Sequence, residues 1–239
     1  MTHGSQRSGL ASSLSTPLDP PPRALLWDID GTLIDTTDLI VGGLDHIYRR
    51  FLGRSVPRDD LRALIGIPLS RQVRWFGDPA EFGASAAEME AAFIGYYEQH
   101  QHLERLIAPA LDVLVRLRDR GLPTAVVTSK NREEIANTLP RLGIESRVDV
   151  VVTAEDVRYP KPAPDGVLLA IERLGVRPAE AVFIGDTLHD LRAGRSAGVR
   201  VCAVTWGAAP RQLLAAHAPD ALCDDPARLA ETLGYRDGV

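Results

Sequence analysis

Cysteine is nearly absent: Cys202 and Cys223 are the two in 239 residues. Two are too few for a disulfide framework and lack zinc-site spacing, so the sequence predicts a reducing, cytoplasmic setting in which both serve as small core hydrophobes. Long hydrophobic runs are missing as well. None approaches the roughly 18 residues needed to cross a bilayer, and no membrane partner is expected. Nor is there a dense basic run. The 27 Lys+Arg face 32 Asp+Glu for a net charge of -5, which argues against a nucleic-acid partner gripped by its backbone. The N-terminal stretch lacks the continuous apolar region of a signal peptide. It holds Ser5, Ser8, Ser12, Ser13 and Ser15, then Pro17 and Pro20-Pro21-Pro22. Such a composition buries too little surface to offset its ordering entropy, so 1–22 reads as a disordered leader outside the fold.

What is present suffices for a packed interior: 45% apolar and 25% charged residues in 26.0 kDa, enough for one large domain carrying a smaller one. Short Val-rich runs at 24–27, 124–128, 149–153, 181–185 and 201–205 are too short for helices and read as buried parallel strands. Between them lie helix-period segments at 111–120, 132–142 and 164–174, followed by the stop signals Gly121, Gly143 and Gly175. Strand and helix in alternation imply right-handed crossovers. The expected fold class is therefore α/β, a doubly wound, Rossmann-like parallel sheet with helices on both faces.

The alternation breaks between 36 and 106, where only helical patterns occur. Leu39, Ile40, Leu44, Ile47, Tyr48, Phe51 and Leu52 form one apolar stripe. Shorter helices are expected at 58–65 and 69–76, then a longer one at about 85–100. Such a block is too long for a loop, so the expected plan is a core of 23–35 and 107–239 with a helical domain, 36–106, inserted after the first strand.

In open parallel sheets the ligand lies outside the carboxyl ends of the strands. Four junctions just past those ends carry polar groups: Asp28-Ile29-Asp30-Gly31-Thr32, Thr128-Ser129-Lys130, Lys161 within Pro160-Lys161-Pro162, and Gly185-Asp186-Thr187-Leu188-His189-Asp190. Three or four carboxylates would converge on one ammonium. Like charges that close disfavour joint ionisation unless a cation neutralises them, and a hard divalent ion such as Mg2+ suits an all-oxygen site. Metal, lysine and hydroxyl donors together form an electrostatic clamp for a phosphoryl group.

In that order, Asp28-x-Asp30-Gly31-Thr32-Leu33, Thr128, Lys161-Pro162 and Gly185-Asp186-x-x-x-Asp190 resemble the four motifs of the haloacid dehalogenase superfamily, and the helical insertion resembles its cap. The resemblance implies that Asp28 attacks phosphorus to form an aspartyl-phosphate. Asp30 would protonate the leaving oxygen and then activate water. Asp28 and Asp186 would bind Mg2+ through carboxylates, Asp30 through its main-chain carbonyl. Thr128 and Lys161 would hold phosphoryl oxygens, with Asp190 orienting Lys161 or a metal-bound water. Gly31 would turn backbone amides toward the phosphate, and Ser129 would assist in substrate binding. The aspartate at position 30 implies an oxygen leaving group, as in phosphatases; sugar phosphomutases share it and stay open as the alternative. Thr205-Trp206-Gly207 looks more like phosphoglycolate phosphatases and related pyrophosphatases, whereas Ala108-Pro109-Ala110 departs from the family's usual Pro-Gly. The expected partner is a small phosphorylated metabolite such as 2-phosphoglycolate, read by Arg71 and Arg74 beyond the loop Gly66-Ile67-Pro68-Leu69, in a monomer or homodimer.

Other residues have plainer readings. Asp35, Thr36 and Asp38 suit a helix N-terminus. Glu155 and Asp156 read as solvated loop charges, His189 as exposed near a helix start, Trp27 and Trp75 as core or domain-interface aromatics. His100 and His102 point to different helix faces, against a metal pair. A phosphorylated receiver also clusters aspartates with Thr/Ser and Lys on a parallel sheet, but it is about half this length and has no such insertion.

Overall fold

The computed structural model describes residues 16–235. In chain order its strands are β1 (Ala24–Trp27), β2 (Ile34–Asp35), β3 (Arg105–Leu106), β4 (Thr124–Val127), β5 (Val150–Val152), β6 (Ala181–Gly185), β7 (Arg200–Val204) and β8 (Ala221–Cys223). Six of them form a parallel sheet in the order β5-β4-β1-β6-β7-β8, and β2 pairs with β3 alone. The helices are α1 (Thr37–Leu52), α2 (Arg58–Arg62), α3 (Leu69–Gln72), α4 (Ala86–His100), α5 (Ala108–Asp119), α6 (Arg132–Leu142), α7 (Asp165–Leu174), α8 (Leu188–Ser196), α9 (Arg211–Ala216) and α10 (Leu229–Thr232).

The expected doubly wound sheet is what forms. Strand side chains alternate between two apolar layers. Leu25, Trp27, Val126, Ile184 and Cys202 pack with residues of α5, α6 and α10 on one face. Ala24, Leu26, Ala125, Val127 and Phe183 pack with residues of α7 and α8 on the other. Burial on both faces is why these strands read as continuous apolar runs rather than alternating ones. Chain order reverses about β1, placing a crevice at the carboxyl ends of β1, β4 and β6.

Local chemistry sets the helix ends. Asn131 and Glu134 form a reciprocal capping box before α6, and Gly143 closes it in the left-handed region at φ 67°. Ser85 and Glu88 do the same for α4. The helices expected at 58–65 and 69–76 are shorter. Each tightens into turns, with Leu64 N–H on Leu61 O at 3.1 Å and Trp75 N–H on Gln72 O at 3.0 Å, before Gly66 and Gly77 at positive φ.

Residues of α1 to α4 share an apolar cluster that includes Ile40, Leu44, Ile47, Tyr48, Leu61, Met89 and Phe93; the one residue it takes from beyond 107 is Ala208. The β2–β3 pair, Ile34 opposite Leu106 and Asp35 opposite Arg105, lies where the chain leaves for and returns from this helical segment.

Three expectations need correction. The strand β8 was not among the apolar runs, because its three residues are bracketed by Asp220, Asp224 and Asp225. Of the stretch 1–22, residues 16–22 are described, and of these Leu18 packs in the core while most of the others are exposed. Leu18 is buried and its N–H donates to Thr232 O at 3.0 Å, so the leader reading extends too far; residues 1–15 lie outside the described residues. Trp27 is buried in the core as expected, but Trp75 is 58% exposed on the turn after α3. No helix among the described residues is long and apolar enough to cross a membrane.

Candidate active site

The strand ends bring the motif residues together. Asp28 directly follows β1, and Lys161 reaches it from the loop before α7. The Lys161 Nζ donates to Asp28 Oδ1 and to Asp190 Oδ1, both at 2.7 Å, with all three side chains buried. Asp190 is held from behind by the start of α8: its Oδ2 accepts from the Thr187 N–H at 2.9 Å and the Thr187 hydroxyl at 2.6 Å. One capping box thus both starts a helix and aims a carboxylate of the buried cluster. Asp186, just past β6, accepts from the Thr32 hydroxyl at 3.0 Å and from the Ala208 N–H at 2.7 Å.

Gly31 belongs in this position for steric reasons. Its φ is 81°, and a Cβ there would fall on the Asp186 carboxylate. Its own N–H donates to Ile34 O at 2.7 Å, so its part is to shape the turn rather than to donate to a phosphate. Trp206 supports the same loop, its Nε1 donating to Thr32 O at 3.2 Å.

Carboxylate oxygens of Asp28, Asp186 and Asp190 lie within 4.8 Å of one another. Burial pushes the Asp28 carboxyl up to about 7; the Lys161 ammonium pulls it down and Asp190 pushes it back up. Burial, reinforced by Asp190 and Asp28, holds Asp186 well above the usual carboxylate range. Burial opposes charge on Lys161 too, but Asp190 and Asp28 outweigh it and hold the ammonium protonated. One ammonium among three buried carboxylates leaves negative charge in excess. A buried, all-oxygen donor set with that excess fits a hard divalent cation such as Mg2+.

Asp30 is directed elsewhere. Its Oδ1 accepts from the Thr36 hydroxyl at 2.8 Å and meets Lys130 Nζ at 3.1 Å. Thr36, read as a helix cap, makes no side-chain cap bond; its hydroxyl is spent on Asp30. Thr128 is buried at the end of β4 and its hydroxyl accepts the Lys130 N–H at 3.2 Å. Asp28, Asp30, Ser129 and Lys130 line a cavity of about 50 Å³, closed from the helical segment by Ile40, Ile65, Ile67, Leu69, Phe93 and Tyr97. The Ser129 hydroxyl donates to Gly66 O at 2.7 Å, so its hydrogen is committed to the segment above rather than to a ligand. Gly66 itself, at φ 96°, sits so close over α8 that a Cβ would meet Thr187 Oγ1 at 2.8 Å.

Arg71 and Arg74 do not join this site. Both are exposed, because α3 turns Gln72 and Val73 inward. Arg71→Ala and Arg74→Ala should each change kcat/KM by less than about twofold for any phosphate ester; a larger, substrate-dependent loss in steady-state assays would place them back in the site. His189 is half-buried rather than exposed and lines a groove with Arg62 and Ala63. Asp156 is a capping carboxylate for Thr153, paired with Arg132 at 2.7 Å, rather than a free loop charge. The residue that sequence reasoning passed over is Lys130. It stands in the second junction, three residues past the apolar run Ala125-Val126-Val127, and that place at a strand end was the available signal.

Residues 25–204 match the model of a family described as haloacid dehalogenase-like hydrolase. Pyrophosphatase PpaX of Bacillus velezensis is 35% identical over 213 residues, 89% of this chain and 97% of that protein. A hydrolase from Pseudomonas syringae superposes with a TM-score of 0.77 at 23% identity, covering 88% of this chain and 97% of its own. A predicted phosphoglycolate phosphatase from Haemophilus somnus gives 0.73 at 22% identity, with 87% and 96% covered.

Proposed function

The chain belongs to the haloacid dehalogenase-like hydrolases, and from that premise we propose that it is a Mg2+-dependent phosphatase that hydrolyses a small phosphoryl compound through an aspartyl-phosphate on Asp28. The observation that carries this reading is the buried array of Asp28, Lys161, Asp190 and Asp186 at the carboxyl ends of the sheet, with Asp30 two residues from Asp28 and outside the cluster.

The chain's own groups divide the work. Asp28 attacks phosphorus, the bond to the leaving oxygen breaks with its electron pair on that oxygen, and Asp30 supplies the proton. Asp30 then takes a proton from water as the water attacks the aspartyl-phosphate, returning Asp28 as a carboxylate and releasing inorganic phosphate. Lys161, fixed between Asp28 and Asp190, holds the phosphoryl oxygens together with Thr128. Mg2+, held by Asp28 and Asp186 with the Asp30 carbonyl and Asp190 at hand, would neutralise the clustered charge and polarise the phosphoryl group.

The wall around the leaving-group side supports a small substrate. It sets Ile65, Ile67, Leu69 and Phe93 beside the polar Gln72, Ser129, Lys130 and Glu134, and at about 50 Å³ its volume, rather than its polarity, counts against a hexose. This weighs against the sugar-phosphomutase alternative and for 2-phosphoglycolate. Pyrophosphate is the second reading, favoured by the 35% identity to PpaX. The two buried, unpaired cysteines suit a reducing cytoplasm. The test is phosphate release from 2-phosphoglycolate, pyrophosphate, a chromogenic aryl phosphate and hexose phosphates with and without Mg2+. Absence of release from every one of them would sink the assignment.

A further inference from the structure

Lys130 is a second buried ammonium that the hydrolytic scheme leaves unused. Its side chain is 7% exposed, three residues past β4, and it lines the cavity, which Lys161 does not. A buried ammonium is costly unless it is paired. Its one ion-pair partner among the described residues is Asp30 at 3.1 Å, and its Nζ lies 5.2 Å from the centre of the Tyr97 ring of α4. Tyr97 in turn donates its hydroxyl to Glu104, which Arg141 of α6 grips through two nitrogens at 2.6 and 3.3 Å. The ammonium is therefore held from both the sheet side and the helical side. Burial opposes its charge, but Asp30, Tyr97 and Glu134 together outweigh burial and keep it protonated.

Its position defines what it can do. Asp30 must reach the leaving oxygen to protonate it, so a cation 3.1 Å from that carboxylate borders the space the rest of the leaving group occupies. Of the other lining groups, Ile65, Ile67, Leu69 and Phe93 offer an anion nothing, Gln72 and Ser129 donate to Leu64 O and Gly66 O, and the Glu134 carboxylate is turned to the Asn131 N–H that it caps at 2.8 Å, which leaves Lys130 as the one cation lining the cavity. Lys161 is already bonded to Asp28 and Asp190. An ammonium has three donors, so Lys130 can keep Asp30 and still accept a second anion.

We propose that Lys130 determines specificity: it selects phosphoryl substrates whose leaving group carries its own negative charge, a carboxylate or a second phosphoryl group, within a few bonds of the scissile oxygen. This rests on the phosphatase reading and replaces Arg71 and Arg74 as the source of acid preference. No bond to Lys130 forms or breaks; the ammonium bridges Asp30 and the leaving-group anion while Asp30 gives up its proton.

The experiment compares 2-phosphoglycolate with ethyl phosphate, which has the same chain length and a methyl group in place of the carboxylate. Wild type should favour 2-phosphoglycolate in kcat/KM by about 10- to 100-fold, the range of a buried charge-assisted hydrogen bond. In Lys130→Met that ratio should fall to within about threefold of unity, whatever loss the two substrates share. Lys130→Arg should restore part of it. A ratio equal in wild type and Lys130→Met overturns the proposal, as does a wild-type ratio near one, which is read without any variant should Lys130→Met fail to fold. Wild-type hydrolysis of both esters with no discrimination removes this inference alone; hydrolysis of neither, nor of any other phosphoryl compound, removes the phosphatase reading beneath it.

Discussion

Asp28→Asn is expected to lower kcat by roughly 10⁴-fold or more, because an amide oxygen is no nucleophile toward phosphorus and the other groups act only on a bond that Asp28 attacks. The fold should survive. The amide keeps the carboxylate's shape, its oxygen can still accept from Lys161, and Lys161 retains Asp190. In metal-free buffer at pH 8 the variant should melt higher than wild type by about 2–8 °C, on the order of 1–2 kcal/mol for a chain this size, since one member of a crowded anionic cluster has been neutralised. Single-turnover assays with a chromogenic ester and parallel thermal melts check both halves. Residual activity above about 1% in a folded variant would take the nucleophile's role from Asp28.

Removing divalent metal is expected to cost activity by about 10³-fold or more, and to leave a distinctive dependence of stability on pH. The Asp28 carboxyl is raised from 3.8 to about 7, and Asp186 is raised as well. Between those values the folded state holds protons that the unfolded chain has released. Stability of the metal-free protein therefore falls as pH rises from about 4 to 7, the reverse of the usual behaviour of paired carboxylates. Mg2+ binds the ionised cluster, so adding it should raise the melting temperature strongly at pH 8 and little at pH 5. Asp186→Ala should need more Mg2+ for half-maximal activity. A metal-free melting temperature that climbs steadily from pH 5 to 8 would contradict the charge state derived for the site.

The residues nearest the chemistry were legible because the sheet places them there. Asp28, Thr128 and Asp186 each directly follow an apolar run, and a parallel sheet turns that adjacency in the chain into adjacency in space. What could not be read depends on partners far along the chain. Lys130 is buried by Tyr97, which precedes it by a whole helix and two strands. Thr36 looks like a helix cap from its neighbours and is diverted by Asp30. Arg71 and Arg74 had the right charge, but their direction follows from how α3 rolls Gln72 and Val73 against the helical cluster, and a four-residue helix carries too little periodicity to reveal that. Leu18 packs because Thr232, near the other end of the chain, accepts its N–H.

The short β2–β3 ladder also bears on how the chain assembles. Sheet formation requires β1 to find β4, Leu25 beside Thr124, across the entire helical insertion. Closing so long a loop is slow, yet its entropic cost grows only with the logarithm of its length. Once Ile34 lies beside Leu106, that span is cinched, and the search by β1 for β4 is reduced to the short connections on either side. The kinetic burden of the insertion falls on one two-residue clasp. Helices between the clasp strands can lengthen, shorten or exchange sequence while the sheet folds along an almost unaltered route.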